Sequence, residues 1–143
     1  MQVDFYQLTR DPAEKVLPFI AQRVLDDKGR LLIVSDDSAQ LDAISLALWT
    51  SRADSFLAHA RSGQADDALQ PILLSDKTDA SNGARFLAIA DGNWRMVEHD
   101  FDRVFYLFPP NKTDNARAAW RTLGVGVDRR YWKQDGGKWM QGP

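Results

Sequence analysis

Four short apolar runs without polar alternation constrain the fold more than any other feature of this sequence. They occupy residues 31–35 (LLIVS), 71–75 (PILLS), 85–90 (RFLAIA) and 103–108 (RVFYLF). A strand with one face in water alternates apolar and polar residues, whereas a strand covered on both faces does not. The runs therefore predict strands of a parallel sheet that is covered by helices.

Amphipathic segments alternate with these runs. In the first of them Leu17, Ile20 and Val24 share one face, which is the pattern of a helix packed on a core. Strands that alternate with helices indicate an open α/β sheet, mainly parallel. The other predicted elements are a strand at 3–8 and helices at about 12–27, 37–49 and 113–123.

The chain is predicted to form a single domain of residues 1–143, because no linker and no internal repeat divides it. Its end is less regular. Residues 131–134 and 138–140 flank a Gly-rich turn, which is typical of a β-hairpin. A bare tail folded against the body fits the same residues, so the role of residues 125–143 is open.

Composition excludes several classes of protein. The chain has no cysteine, which excludes disulfides and thiolate metal sites and fits a reducing cytoplasm. Its first residues lack the basic segment and apolar run of a signal peptide, and no apolar run reaches the roughly 18 residues of a membrane span. We therefore expect a cytoplasmic protein without membrane association.

Charge is distributed unevenly along the chain. Residues 1–110 hold 11 basic and 17 acidic side chains, whereas residues 111–143 hold 7 basic and 3 acidic ones. The acidic body disfavours direct binding of a DNA duplex. The basic end is either a solvated tail or a surface that attracts an acidic peptide.

Phosphate-binding loops are absent from the sequence. Thr-Arg-Asp-Pro follows the first predicted strand and Asp36-Asp37-Ser38 follows the second, so neither turn is rich in glycine. Asp36 and Asp37 stand where ligands of α/β sheets bind and could hold Mg²⁺ for phosphoryl transfer. They equally serve as a turn residue and a helix cap.

Catalytic residues and metal ligands are not predicted. His59 and His99 have no partner at metal-binding spacing, and no G-x-S-x-G elbow presents a nucleophile. We therefore expect no cofactor and no catalytic residue.

Two groups of residues are candidates for binding surfaces. Arg117, Trp120 and Arg121 share one helix face, where guanidinium groups can grip a carboxylate while an aromatic ring packs on the indole. Phe108 could line the same pocket. The alternative is that Trp120 belongs to the core and both arginines are ordinary surface residues.

The second group follows the apolar stripe of the helix after Asp37. Trp49 lies off that stripe, and Phe56 and Leu57 come soon after it. So many apolar residues predict a surface for a second chain. The alternative is that Trp49 closes the edge of the core.

Six motifs, in this order and spacing, resemble the chi subunit of bacterial DNA polymerase III. The resemblance covers residues 3–124, and its most specific part is L-W followed by S-F-L-x-H. The motifs are D-F-Y-x-L at 4–8, G-R-L-L-I-V at 29–34, L-D-x-x-x-x-x-L-W at 41–49, S-F-L-x-H at 55–59, P-I-L-L-S at 71–75 and A-R-x-x-W-R at 116–121.

This resemblance implies a Rossmann-like fold without a nucleotide-binding loop. It also implies a non-catalytic, replisome-associated adaptor of the clamp loader. Such an adaptor binds the psi subunit on one face and the acidic C-terminal tail of single-stranded-DNA-binding protein on another, so DNA is reached only indirectly.

The resemblance also assigns residues to these faces. Trp49, Phe56 and Leu57 match the psi-facing surface. Arg117, Trp120 and Arg121 match the tail-binding surface, and Lys112 or Thr113 matches a basic position one turn earlier, depending on a short gap. Two rival functions stay open: an Mg²⁺-dependent phosphotransfer enzyme centred on Asp36 and Asp37, and a module that stacks single-stranded nucleic acid on the tryptophans of the basic end.

Overall fold

Strands and α-helices alternate from residue 2 to residue 50, as the sequence predicts, whereas in the described residues 59–97 and 101–108 four strands follow one another with no α-helix between them. The structure, a computed structural model, describes residues 1–51, 57–97, 101–135 and 138–142. Two short 3₁₀ turns, Asp67–Leu69 and Pro110–Lys112, lie in the connections. In chain order the described elements are β1 (Gln2–Gln7), α1 (Ala13–Asp26), β2 (Leu31–Val34), α2 (Ser38–Thr50), β3 (His59–Arg61), β4 (Ile72–Ser75), β5 (Phe86–Ile89), β6 (Arg103–Phe108), α3 (Thr113–Thr122), β7 (Asp128–Asp135) and β8 (Lys138–Gln141).

The strands form one open sheet in the order β3-β4-β2-β5-β6-β1-β7-β8. Every neighbouring pair is parallel except β7 and β8, which are antiparallel. The predicted class, a mainly parallel α/β sheet of Rossmann-like type flanked by helices, is confirmed.

Both faces of the sheet carry an apolar core, which explains why its strands do not alternate. On one face, Leu31 and Ile33 pack in a cluster with residues of α1 and α2. On the other face, Leu32 and Val34 pack in a cluster that includes Ala116 and Ala119 of α3. Adjacent residues of one strand point to opposite faces, so each must be apolar.

The connection from β6 to β7 positions the site described below. These strands are not neighbours, because β1 lies between them. Helix α3 therefore crosses over β1, and the Trp120 ring lies 5.0 Å from the ring of Phe5 on that strand. Strand β7 then pairs with β1 on the side away from β6.

Two local predictions are confirmed, and one strand was not predicted. Asp37 caps α2 through hydrogen bonds from the N–H groups of Ala39 and Gln40, as expected. The end of the chain forms the hairpin β7–β8 rather than a bare tail. Strand β3 was not predicted, because its three half-buried residues at the sheet edge leave no apolar pattern.

No helix in the described part of the chain has the length and apolarity to cross a membrane.

Candidate peptide-binding groove

A groove of about 700 Å³ lies between α3 and the strands beneath it. It brings together Arg117, Trp120, Arg121 and Phe108, which the sequence predicts as one surface. Its lining residues come from four elements, β1, β6, α3 and β7, which the crossover of α3 over β1 brings together. The complete lining is Phe5, Gln7, Phe108, Thr113, Ala116, Arg117, Trp120, Arg121, Tyr131 and Lys133.

Aromatic rings form the floor of the groove. Phe5 and Phe108 are fully buried, and Trp120 and Tyr131 are half-buried beside them. The Phe108 and Tyr131 rings lie 6.2 Å apart and tilted. Trp120 therefore belongs partly to the core and partly to the groove, which combines the two predicted alternatives. Such a floor can accept the ring of a peptide side chain.

Positive charge lines the rim. Arg117 and Arg121 are exposed on α3, and the Arg117 side chain is 69% accessible. Its nearest carboxylate is Asp114, at 3.9 Å, on the same helix. Among the described residues that line the groove, none is aspartate or glutamate. The rim therefore favours an anionic ligand.

Arg129 of β7 holds the end of α3 in place. Its guanidinium donates to the carbonyl oxygens of Trp120 (2.6 Å), Leu123 (3.0 Å) and Gly124 (3.2 Å). It also lies 5.7 Å from the centre of the Trp120 ring. Carbonyls in the last turn of a helix have no partner within the helix, and this one side chain supplies a donor to Trp120 in that turn and to the two residues that follow the helix. Arg129 thereby positions Trp120.

Tyr131 connects the groove to the sheet. Its hydroxyl donates to Oε1 of Gln7 on the neighbouring strand. Burial raises the pKa of the Tyr131 hydroxyl, and the nearby positive charge of Arg117 partly offsets this rise. The hydroxyl therefore stays neutral and acts as a hydrogen-bond donor at physiological pH.

Lys112 departs from its predicted place. It is not among the residues that line the groove, because its Nζ donates to Oδ1 of Asn93 at 3.1 Å. Its side chain packs over Gly92, where an added Cβ would lie 3.0 Å from the Lys112 Cγ. Thr113, the alternative at this position, does line the groove.

Sequence reasoning missed Lys133, Tyr131, Phe5 and Gln7. Phe5 and Gln7 lie on β1, and Tyr131 and Lys133 lie on β7. The two strands are neighbours, with Phe5 opposite Tyr131 and Gln7 opposite Lys133. The only signal in the sequence was the two-residue spacing within each strand. That spacing does not reveal which strands become neighbours.

The second predicted surface is only partly exposed. Leu46 and Trp49 on α2 are 64% and 47% accessible. Leu57 departs from its predicted role, because it is 2% accessible and packs in the core under α2. Phe56 lies outside the described residues.

His59 supports Trp49 and is fully engaged. The two rings lie 4.6 Å apart. Nδ1 lies 2.7 Å from the Leu57 carbonyl and Nε2 lies 2.8 Å from the Ser45 hydroxyl. A carbonyl only accepts, so Nδ1 carries the proton and Nε2 accepts from Ser45. His99 lies outside the described residues.

Asp36 and Asp37 border a separate cleft of about 900 Å³ at the carboxyl ends of the strands. Asp36 pairs with Arg95 at 3.0 Å, and Arg95 also binds Asp91 at 2.6 Å. Asp37 is occupied as the cap of α2. In the described ranges no three His, Asp or Glu side chains are grouped to hold a metal.

Asp91 is the buried member of this ion-pair cluster. Burial acts to raise the pKa of its carboxyl, but hydrogen bonds from Arg95 and from the N–H groups of Asp36 and Asn93 outweigh burial and lower that pKa. The Asp91 carboxylate is therefore ionised at neutral pH, where it pairs with Arg95.

Three backbone N–H groups in the loop between β1 and α1 are also occupied. Oε1 of Gln134, on β7, accepts from the N–H groups of Thr9 (3.4 Å), Arg10 (3.0 Å) and Asp11 (3.2 Å). In nucleotide-binding α/β proteins a phosphate uses the corresponding groups. Here the chain supplies its own acceptor.

Comparison with known proteins identifies the family. A family model described as "DNA polymerase III chi subunit, HolC" matches residues 1–125. No curated protein matches the chain. Among solved structures, it is similar to "Crystal structure of the C-terminal part of Fun30 ATPase domain", with a TM-score of 0.49 and 18% identity over 82% of this chain and 50% of that chain. The chain thus spans half the length of that solved structure. Since the family model covers most of its length, the chain belongs to the DNA polymerase III chi subunit family.

Proposed function

We propose that this protein is a non-catalytic adaptor, which links the clamp loader, through psi, to the acidic C-terminal tail of single-stranded-DNA-binding protein. One observation carries the proposal. Arg117, Trp120, Arg121 and Phe108 meet in one groove with a basic rim and an aromatic floor. DNA is reached only through the partner protein.

The groove has the chemistry that a peptide ending in an aromatic residue requires. The terminal carboxylate can accept paired hydrogen bonds from the guanidinium of Arg117 or Arg121. The terminal ring can pack on Trp120, whose position is maintained by Arg129. Acidic residues further along the peptide are attracted by the basic rim.

Titration calorimetry with the C-terminal peptide from the same organism tests this function. We expect micromolar binding, or about −8 kcal/mol. Arg117→Ala should cost about 1.5–3 kcal/mol, since a hydrogen bond between charged groups is lost. Arg23→Ala is a matched control, because Arg23 is exposed on α1, which packs against the opposite face of the sheet. Unchanged affinity in Arg117→Ala would refute the assignment.

For psi, we assign the exposed face of α2, with Leu46 and Trp49 at its centre. Two large apolar side chains one turn apart provide an anchor for a partner. Leu46→Glu should abolish binding to psi with little change in stability. Leu69→Glu, at an exposed leucine outside α2, should leave binding intact. Equal loss in both variants would contradict this assignment.

The occupied groups of the other cleft support a non-catalytic role. Asp36 is ion-paired with Arg95 and Asp37 caps the start of α2, so Mg²⁺ would have to compete with these contacts. The tryptophans of the hairpin are also engaged. Trp132 and Trp139 pack on Tyr6 in the core, which leaves little ring surface on which a base could stack.

A further inference from the structure

The groove continues from α3 onto the C-terminal hairpin. The family model ends at residue 125, whereas β7 and β8 span Asp128–Asp135 and Lys138–Gln141. Lys133 of β7 lines the groove opposite the arginines of α3. The hairpin therefore adds a wall to the groove that the matched region does not contain.

Strand register places one further side chain on this wall. Lys133 is paired with Gln7 of β1 on one side and with Met140 of β8 on the other. Residues directly opposite each other on neighbouring strands point to the same face of the sheet. Phe108, Gln7, Lys133 and Met140 consequently form a row across four strands, beginning at the aromatic floor and ending at the sheet edge.

The outer part of this row is open and carries a positive charge. Lys133 is exposed, and Met140 is 55% accessible. Within the described residues Lys133 makes no ion pair, in contrast to Arg129 and Arg130 on the same strand, which are engaged by the end of α3 and by Asp128. The exposed ammonium of Lys133 beside the exposed thioether of Met140 can bind a peptide that carries both acidic and apolar side chains.

We propose that Lys133 and Met140 form a second subsite for the acidic peptide, which binds the segment just before its terminal residue. The inference rests on the proposed function. If the terminal carboxylate and ring bind between α3 and the aromatic floor, the rest of the peptide leaves across β7. An acidic side chain there pairs with Lys133, and the peptide backbone lies on Met140.

A double-mutant cycle between protein and peptide tests the subsite. Lys133→Gln should weaken binding of the acidic peptide about two- to fivefold, as expected for a solvent-exposed ion pair. It should not change the affinity of a peptide whose upstream Asp residues are replaced by Asn and whose last residue is kept. Arg130→Gln removes the same charge from the same strand on its opposite face, so it should have no effect on either peptide.

Met140→Asp provides a second test, because it places a carboxylate under the acidic segment at an exposed position that should not disturb folding. It should weaken binding of the acidic peptide at least as much as Lys133→Gln does, and it should weaken binding of the Asn-substituted peptide less.

The outcomes separate the two proposals. If Arg117→Ala weakens binding as expected while Lys133→Gln affects both peptides equally or not at all, the subsite is refuted and the adaptor function stands. If the unmodified protein binds neither peptide, both are refuted.

Discussion

Gln134 shows how a single side chain can complete a fold. Pro12 stands at the N-cap of α1 and makes no side-chain cap, and the Asp11 carboxylate accepts from Gln134 Nε2 rather than capping the helix. Three backbone N–H groups before α1 donate to the Gln134 amide oxygen. The side chain is 5% accessible, so water replaces it poorly.

Gln134→Ala should therefore lower the free energy of unfolding by about 1–3 kcal/mol. Urea denaturation measures the change. Gln64→Ala, at an exposed loop glutamine, serves as the control and should stay within about 0.5 kcal/mol. An equally small change in Gln134→Ala would show that the N–H groups find other acceptors.

Residues were predictable from sequence where their partners are close in the chain. Asp37 caps a helix that begins at the next residue, and Arg117, Trp120 and Arg121 share a face through helical spacing alone. Gln134 contacts residues at a separation of 123–125 positions, so no local pattern reveals it.

At the scale of elements, the hairpin organises the groove. Strand β7 supplies Tyr131 and Lys133 to its lining, and Arg129 to the end of α3. Helix α3 has only ten residues, and an isolated helix of this length is marginal in water. Its position therefore depends on the packing of Ala116 and Ala119 and on Arg129.

Arg129→Ala should loosen the end of α3. We expect a loss of about 1–3 kcal/mol in stability, because partly buried carbonyls lose a charged donor, and weaker binding of the acidic peptide, because Trp120 is less well positioned. Urea denaturation and calorimetry measure the two effects. Arg130→Ala is the control, and full peptide affinity in Arg129→Ala would show that Trp120 is positioned without it.

The elements differ in how well sequence predicts them. The central strands are covered on both faces and read directly as apolar runs, and β6 agrees with its prediction at both ends. Strand β3 lies at the sheet edge and carries His59 and Arg61, so neither burial nor alternation marks it. The order of the strands follows from long-range packing, which no single segment encodes.

At the scale of the whole molecule, all three tyrosines of the chain titrate above their ordinary range. Burial raises the pKa of Tyr106 to about 12 and also raises the pKa values of Tyr6 and Tyr131. Tyr106 is fully buried and donates to the Gly92 carbonyl at 2.7 Å. Each hydroxyl must therefore stay protonated in the native state.

Stability should consequently fall in alkaline solution. The folded pKa values lie above the unfolded value of about 10, so the tyrosines' contribution is complete below pH 10 and is lost as pH rises toward 12. Tyrosinate absorbance should appear together with the loss of the circular-dichroism signal. Titration of all three tyrosines near pH 10 in the folded protein would contradict this expectation.

Stability should also fall in acid, where protonation of Asp91 breaks its ion pair with Arg95. Because the folded pKa of Asp91 is lowered, its contribution is present above the unfolded value of about 3.9 and is lost as pH falls below it. Asp91→Asn should therefore reduce stability at pH 7 and flatten its dependence on pH below 4. Denaturation at a series of pH values measures this slope, and an unchanged slope would exclude Asp91 as its source.

The molecule as a whole keeps the architecture of a nucleotide-binding sheet but fills the places that a nucleotide would use. Gln134 occupies the N–H groups before α1, and Asp36, Asp37 and Asp91 put carboxylates at the same edge of the sheet.

Adding ATP or NAD with Mg²⁺ should therefore give no thermal shift. A ligand at 100 times its Kd would stabilise the fold by about 2.7 kcal/mol, which melting experiments detect readily. A saturable shift that disappears in Asp36→Asn would replace the adaptor with a phosphotransfer enzyme, whereas a shift that survives this change would place the nucleotide elsewhere on the molecule.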